Sequence, residues 1–256
     1  MTKCIWCKRS DGLLSLEHVF PEGLGCPDGF VLRAGEVCKT CNNELAHLDQ
    51  AVIDELDVIG YMNDVPRKRG RQPAIRNRGN VIGTMGPNGK EISINMEAYS
   101  VQTHDGSRLG AFGKSSRNIR TSFTRDGHLA TVSFSVPFGQ NPKFIRGIVK
   151  IAFSSLVYYL GTDLALSEYF DSIRLFVKNG QGTRAILLKS SRDGEYKNQA
   201  WPPFKSDLGE YLVVFRLADT EFIVDLSPTL TLFPTLKERA FEIYGKSDWT
   251  FLPVNI

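Results

Sequence analysis

The sequence predicts an α+β fold: a short β-hairpin-and-helix domain over residues 1–62, a basic linker over 63–80, and a larger α+β domain over 81–256 with a mainly antiparallel sheet and one long core helix. Three observations carry this prediction. Two Cys-x-x-Cys pairs, Cys4/Cys7 and Cys38/Cys41, bracket the start of the chain. Directly after the second pair, Leu45, Leu48, Val52, Leu56 and Ile59 recur at helical spacing up to Gly60. Further on, Asn141-Pro142 is an N-cap signal that opens a run with Phe144, Ile148, Ile151, Ala152, Ser155, Leu156 and Tyr159 along one broad face, closed by Gly161.

The bulk properties exclude several classes. With 256 residues, 42% hydrophobic and 23% charged, the chain matches a soluble globular protein with a core of its own. No repeat at periods of about 20 to 50 residues announces a solenoid or propeller. Met1 to Cys7 lack the apolar stretch of a signal peptide, so a cytoplasmic location is expected. The most apolar segment, Ile148 to Leu160, is too short to span a bilayer and is interrupted by Lys150, which predicts a buried helix and no membrane partner. The net charge of +3 and pI near 8.5 permit nucleic-acid binding without requiring it.

The cysteines are more specific. A Cys-x-x-Cys pair can grip one metal through a tight backbone turn, and two such pairs are a strong signal for structural zinc held by Cys4, Cys7, Cys38 and Cys41. Two disulfides are the rival reading, disfavoured in the reducing compartment expected for a chain without an export signal. Thirty residues separate the pairs, more than a bare zinc ribbon uses. Cys26 lies among them without a partner and is expected as a free thiol. Gly12 to Phe20 reads as a strand, Pro21 to Gly25 as a turn, and Phe30 to Arg33 as a second short strand returning to Cys38. Asn42-Asn43-Glu44 then opens the helix, with Asp54, Glu55 and Asp57 expected on its solvated face. Knuckle, hairpin and helix together make a treble clef.

Charge is unevenly spread. Residues 1–80 hold 11 Lys plus Arg against 11 Asp plus Glu, yet Arg67, Lys68, Arg69, Arg71, Arg76 and Arg78 put six cations into twelve residues with no acid among them. A solvated loop is one reading. A strap that contacts phosphates is the favoured one, because the run directly follows the candidate site.

Leu16-Glu17-His18-Val19-Phe20-Pro21 followed by Cys38-Lys39-Thr40-Cys41-Asn42-Asn43 resembles the HNH (His-Me finger, ββα-metal) endonuclease superfamily, in particular its four-cysteine zinc-bound members such as phage endonuclease VII. The resemblance covers roughly residues 3–60 and implies hydrolysis of phosphodiester bonds in DNA, leaving 5′-phosphate and 3′-hydroxyl ends. It implies His18 as general base, and Glu17 with Asn42 as holders of one catalytic divalent cation, Mg2+ or Mn2+, while zinc stays purely structural. The chemistry is coherent. Imidazole can take a proton from water at neutral pH, and oxygen donors suit a hard cation that neutralises phosphoryl charge. In an ideal strand Glu17 and His18 point to opposite sides, so one site can use both only where the strand ends or bends.

Three departures from the family pattern stand out. Glu17 occupies a place where many members have Asp or His. Arg33 stands about where the central Asn of the motif falls, and is assigned instead to phosphate contact. Ala46 replaces a second helical histidine, which leaves Asn43 and His47 as secondary candidates. Asn42 also has a plain structural reading as the N-cap of the following helix.

Beyond the linker, strands are expected at Glu91 to Met96, Asn118 to Phe123, Ala130 to Val136, Ser172 to Val177, Arg184 to Lys189, Tyr211 to Leu217 and Glu221 to Leu226. This domain carries no catalytic constellation and is expected to recognise substrate, sense a signal or mediate assembly as a homodimer or with a partner protein. The expected partner of the whole is DNA, with RNA also open, in restriction or phage defence. The alternative is a zinc-stabilised nucleic-acid- or protein-binding module without catalytic activity.

Overall fold

The computed structural model describes residues 3–11, 14–65, 67, 70–78, 81–86, 89–94, 100–102, 108–111, 119–123, 130–134, 138–139, 141–190, 197–207, 209–218, 220–229 and 249–254; the side chains of 76–134, 185, 190 and 249–254 are not described. It is a mixed α/β structure that begins with a β-hairpin and a helix.

Strand β1, Leu14–His18, pairs antiparallel with β2, Val31–Cys38, across a single turn of 3-10 helix at Glu22–Leu24. Helix α1, Lys39–Glu55, follows β2 without a break. It starts three residues earlier than the apolar period alone suggests, because the Cys38 sulfur accepts the Cys41 N–H and so caps the helix itself. Asn42 is therefore inside the first turn and is not the N-cap. At Leu56 the chain kinks into the short helix α2, Asp57–Met62. One expectation is corrected here. Glu55 and Asp57 are buried rather than solvated, at 5% and 3% exposure, and Glu55 Oε1 accepts the Gly139 N–H at 2.6 Å. Asp54 does lie at the surface side, where it accepts from Gln50 Nε2 one turn back at 2.7 Å.

Next come small antiparallel sheets: β3 Ile75–Arg78, β4 Val81–Gly86 and β5 Gly89–Ile94 in one, and the hairpins β6 Ser100–Gln102 with β7 Arg108–Ala111 and β8 Ile119–Phe123 with β9 Ala130–Phe134. Helix α3, Pro142–Leu160, is the long core helix. Asn141 Oδ1 accepts from Lys143 N at 3.0 Å, Pro142 takes the first helical position, and nearly every residue from Phe144 to Val157 is buried. Short α4, Thr162–Ala165, leads to α5, Asp171–Asn179.

Helix α5 overturns the strand expected at Ser172 to Val177. Ile173, Leu175 and Val177 alternate like a strand in sequence, but Leu175 is 49% exposed while Ile173, Phe176 and Val177 are buried, which is the helical spacing. Gly180 ends the helix in the left-handed region at φ 74°, open to glycine at no steric cost. The C-terminal sheet is antiparallel in every pairing, in the order β11 (Gln199–Ala200), β13 (Tyr211–Leu217), β14 (Thr220–Asp225), β10 (Arg184–Ser190), β15 (Trp249–Val254), with β12 (Phe204–Lys205) also on β13. Along β13, buried and half-buried residues alternate, as a one-sided sheet requires.

The buried side chains of residues 4–56 and 144–226 form one contiguous core. At its centre α1 and α3 are in close contact: a Cβ at Gly147 would stand 2.5 Å from Val52 Cγ2 and 2.9 Å from the Leu48 carbonyl oxygen, so only glycine lets the backbones approach this far. Among the described residues no helix is long and apolar enough to cross a membrane.

Candidate metal centre and the histidine cleft

Four sulfurs, those of Cys4, Cys7, Cys38 and Cys41, lie within 4.8 Å of one another. A tetrahedral ZnS4 unit has sulfur–sulfur edges of about 3.8 Å, and Cys7 and Cys38 are 3.9 Å apart. The set is positioned to hold one metal ion and is consistent with structural zinc. Local geometry explains the convergence. In the first knuckle Lys8 N–H donates to the Cys4 carbonyl at 2.8 Å, and Lys8 takes the left-handed conformation, φ 60°, that lets the backbone fold around a metal-gripping pair. The backbone N–H of Cys38 donates to the Cys4 sulfur at 3.4 Å, and that of Cys41 to the Cys38 sulfur at 3.5 Å. Ile5 N–H to the Glu36 carbonyl, 2.9 Å, fastens the first knuckle to β2.

The electrostatics of this cluster suit a cation. Hydrogen bonding from Cys41 and from backbone N–H groups pulls the Cys4 thiol down to about 4 against its burial. Donation to that thiolate, with burial, pushes Cys41 up, and burial pushes Cys38 up. Four crowded sulfurs cannot all ionise by themselves, whereas a divalent ion offsets the repulsion and takes all four as thiolates. Cys26 stands apart from the cluster: its thiol donates towards the Phe30 carbonyl at 3.3 Å and burial raises its pKa.

Between its two knuckles the hairpin is irregular. Ser15 pairs with Val37 but Glu17 pairs with Leu32, so the two-residue step on β1 faces a five-residue step on β2. The excess, Arg33 to Glu36, forms a bulge, with Arg33 N–H on Glu36 Oε2 at 2.5 Å and Gly35 at φ 101°. Arg33 is exposed on this bulge. Beyond it β1 ends at His18, and the alternation of side chains holds to the end: Leu14 and Leu16 are exposed, Glu17 is buried, and His18 is half-buried.

His18 and Glu17 thus serve different surroundings. His18 lines an open cleft of about 380 Å3 together with Glu22, Cys26, Asp28, Val31 and Arg67. Glu17, 3% exposed, meets the ammonium of Lys150 from α3 at 2.5 Å, and the same ammonium bonds both oxygens of Asp49 at 2.8 Å. Burial alone would lower Lys150, but the two carboxylates more than reverse this and raise it, so the ammonium is retained. Burial raises Glu17, partly offset by Lys150. Asn42 reaches back from α1, its Nδ2 donating to Ser15 Oγ at 2.7 Å and to the Leu16 carbonyl at 3.1 Å. It pins the helix to the strand that ends in His18.

Of the basic run, Arg67 enters the cleft, its guanidinium bonds the Ala74 carbonyl, and its backbone N–H donates to the Arg71 carbonyl at 2.8 Å. Arg71 is exposed. Lys68 and Arg69 lie outside the described residues; Arg76 and Arg78 belong to β3, and their side chains are not described. The secondary candidates face solvent: Asn43 is exposed, and His47 Nδ1 lies 2.7 Å from the Glu44 carbonyl on the outer side of α1. Asp49 and Lys150 are the residues missed by sequence reasoning. The one signal was a lysine interrupting the most apolar helix of the chain.

Comparison with protein-family models, with curated proteins and with solved structures finds no match for this chain.

Proposed function

We propose that the chain is an HNH-type endonuclease, with zinc at the four cysteines as a structural staple and His18 as the general base for phosphodiester hydrolysis. The observation that carries the reading is the position of His18: the last residue of a strand clamped by a metal-binding cysteine cluster, at an open cleft that also contains an arginine. In the proposed step a water in the cleft gives a proton to His18 while its oxygen bonds to phosphorus. The bond from phosphorus to the 3′ oxygen breaks, and that oxygen takes up a proton, leaving 5′-phosphate and 3′-hydroxyl ends. Arg67 carries positive charge beside the phosphate, and Arg33, Arg71 and the rest of the basic run extend that charge along a nucleic-acid backbone. DNA is the proposed substrate, RNA the variant, and restriction or phage defence the proposed setting. In this reading residues 63–80 are the basic linker, and residues 81–256, part of which shares one core with residues 4–56, read substrate or signal, or assemble with a second copy or another protein.

A divalent cation, Mg2+ or Mn2+, belongs to the reading, and it would supply charge neutralisation at the phosphate. The residues present fit it in part. Asn42 commits Nδ2 to β1, which leaves Oδ1 as an oxygen donor. Glu17 does not fit as it stands, because its carboxylate is already engaged by a buried ammonium. That engagement is also the specific observation favouring the second reading, a zinc-stabilised binding module without catalysis.

The test is cleavage of supercoiled plasmid and of single-stranded and structured DNA and RNA by purified protein with Mg2+ or Mn2+. Wild type is expected to nick at least one of them, and His18→Ala to lose about 100- to 10,000-fold in rate, the usual share of a general base. A wild-type protein with one zinc per chain that cuts none of these substrates points to the binding module.

A further inference from the structure

The carboxylate pair behind His18 already holds a cation, and that cation belongs to the protein. Lys150 lies in the middle of α3, 2% exposed, and its Nζ stands 2.5 Å from Glu17 Oε1 and 2.8 Å from each oxygen of Asp49. The three groups come from β1, α1 and α3, so the arrangement exists only in the folded chain. It is an expensive arrangement. Taking the ammonium and the Glu17 carboxylate out of water, with Asp49 half-buried beside them, gains little over an apolar core of the same volume, and Lys150 is flanked by Val149 and Ile151 on a mostly apolar helix. A methionine would fill the helix position without any of those charges. What the ammonium does supply is a positive charge beside two acids that would otherwise form a ready oxygen-donor pocket for a hard divalent cation.

We infer that Lys150 is the resident cation of the Glu17–Asp49 pair, and that Glu17 ligates no divalent cation. An ammonium within hydrogen-bond distance of a carboxylate opposes a second positive ion on that same carboxylate. Any divalent cation used in cleavage is then held by donors on the cleft side of β1 and by the substrate phosphate. This deepens the nuclease reading by fixing the ligand set. It concerns binding alone, so it stands or falls separately from whether the protein cuts.

The experiment is a Mn2+ titration of the zinc-loaded protein, with free Mn2+ followed by electron paramagnetic resonance. Wild type and Glu17→Gln are expected to bind Mn2+ with the same stoichiometry and within twofold in affinity, including the case in which neither binds. Lys150→Met is expected to gain one Mn2+ site, lost again when Glu17→Gln is added. A tenfold or greater loss of Mn2+ affinity in Glu17→Gln overturns the inference, because Glu17 is then a ligand. So does a Lys150→Met protein that folds and gains no site. A second measurement needs only the native sequence. In wild type labelled with 15N and 13C at its lysine side chains, with the Lys150 signal assigned from its contacts to β1 and α1, saturating diamagnetic Mg2+ is expected to leave that signal and those contacts unchanged. Loss of the Lys150 contact to Glu17 on addition of Mg2+ places the ion on that carboxylate and overturns the inference even if the variants do not fold.

Discussion

Replacing Cys38 with serine is expected to abolish metal binding and to unfold the start of the chain, the largest single effect in this molecule. Cys38 has two tasks at once: its sulfur is one of four within 4.8 Å of one another, and the same sulfur caps α1 by accepting the Cys41 N–H; a serine hydroxyl can take over the cap but not the thiolate ligation, so this variant isolates the metal. Structural zinc in small domains contributes an apparent 10–16 kcal/mol or so of folding free energy at neutral pH, against a total stability of about 5–15 kcal/mol for an ordinary domain. Losing the ion therefore removes more than the fold can spare locally, and Ile5, Trp6 and Val37, all buried in the shared core, go with it. Metal analysis of Cys38→Ser should fall from one ion per chain to none, with a lower and broader thermal transition. Chelation of the wild type should reproduce that transition. Cys26→Ser, outside the cluster, should change neither. An unchanged melting temperature in Cys38→Ser would mean that the four cysteines are a packing cluster and nothing more.

The second large effect comes from one missing methyl group. Alanine favours a helix over glycine by about 1 kcal/mol, so on propensity alone Gly147→Ala would stabilise α3. Contact geometry decides against it. The new Cβ would sit 2.9 Å from the Leu48 carbonyl oxygen and 2.5 Å from Val52 Cγ2, and a backbone oxygen cannot rotate out of the way. Helix α3 must back off from α1, an overpacking cost of about 1–3 kcal/mol. For a chain of this size each kcal/mol lowers the melting temperature by roughly 2–4 °C. Lys150 follows Gly147 by three residues on the same helix, so the shift also loosens its bonds to Glu17 and Asp49. Differential scanning calorimetry should show a lower melting temperature; an equal or higher one would mean that the two helices are not packed this closely.

How much of this was legible in the sequence follows the range of the interactions. The cysteine pairs, the hairpin, the Asn141-Pro142 cap and the strands at Arg184, Tyr211 and Glu221 are local patterns of spacing and cap chemistry, and local patterns are written in order along the chain. Helix α5 was misread because Leu175 completes a false alternation while standing in solvent, which no pattern of residue types reveals. The start of α1 was missed because its cap is a cysteine sulfur already assigned to the metal. Glu55 and Asp57 were placed in solvent on their charge, yet Glu55 follows Val52 by three residues on the buried face of α1, and Asp57 opens α2 after the break at Leu56 and is buried as well. Least visible was the Glu17–Lys150–Asp49 group: Lys150 and Asp49 are 101 residues apart, so nothing at either end announces the other.

The nuclease reading places one proton transfer on one side chain, and chemical rescue addresses that assignment directly. His18→Gly leaves the rest of the cleft in place and adds the volume of an imidazole ring to a space of about 380 Å3. Added imidazole should restore cleavage by the His18→Gly protein, at a rate that rises with imidazole concentration and follows its unprotonated fraction as pH changes. Cleavage by wild type that persists undiminished in His18→Gly without imidazole would contradict the assignment of His18 as the base.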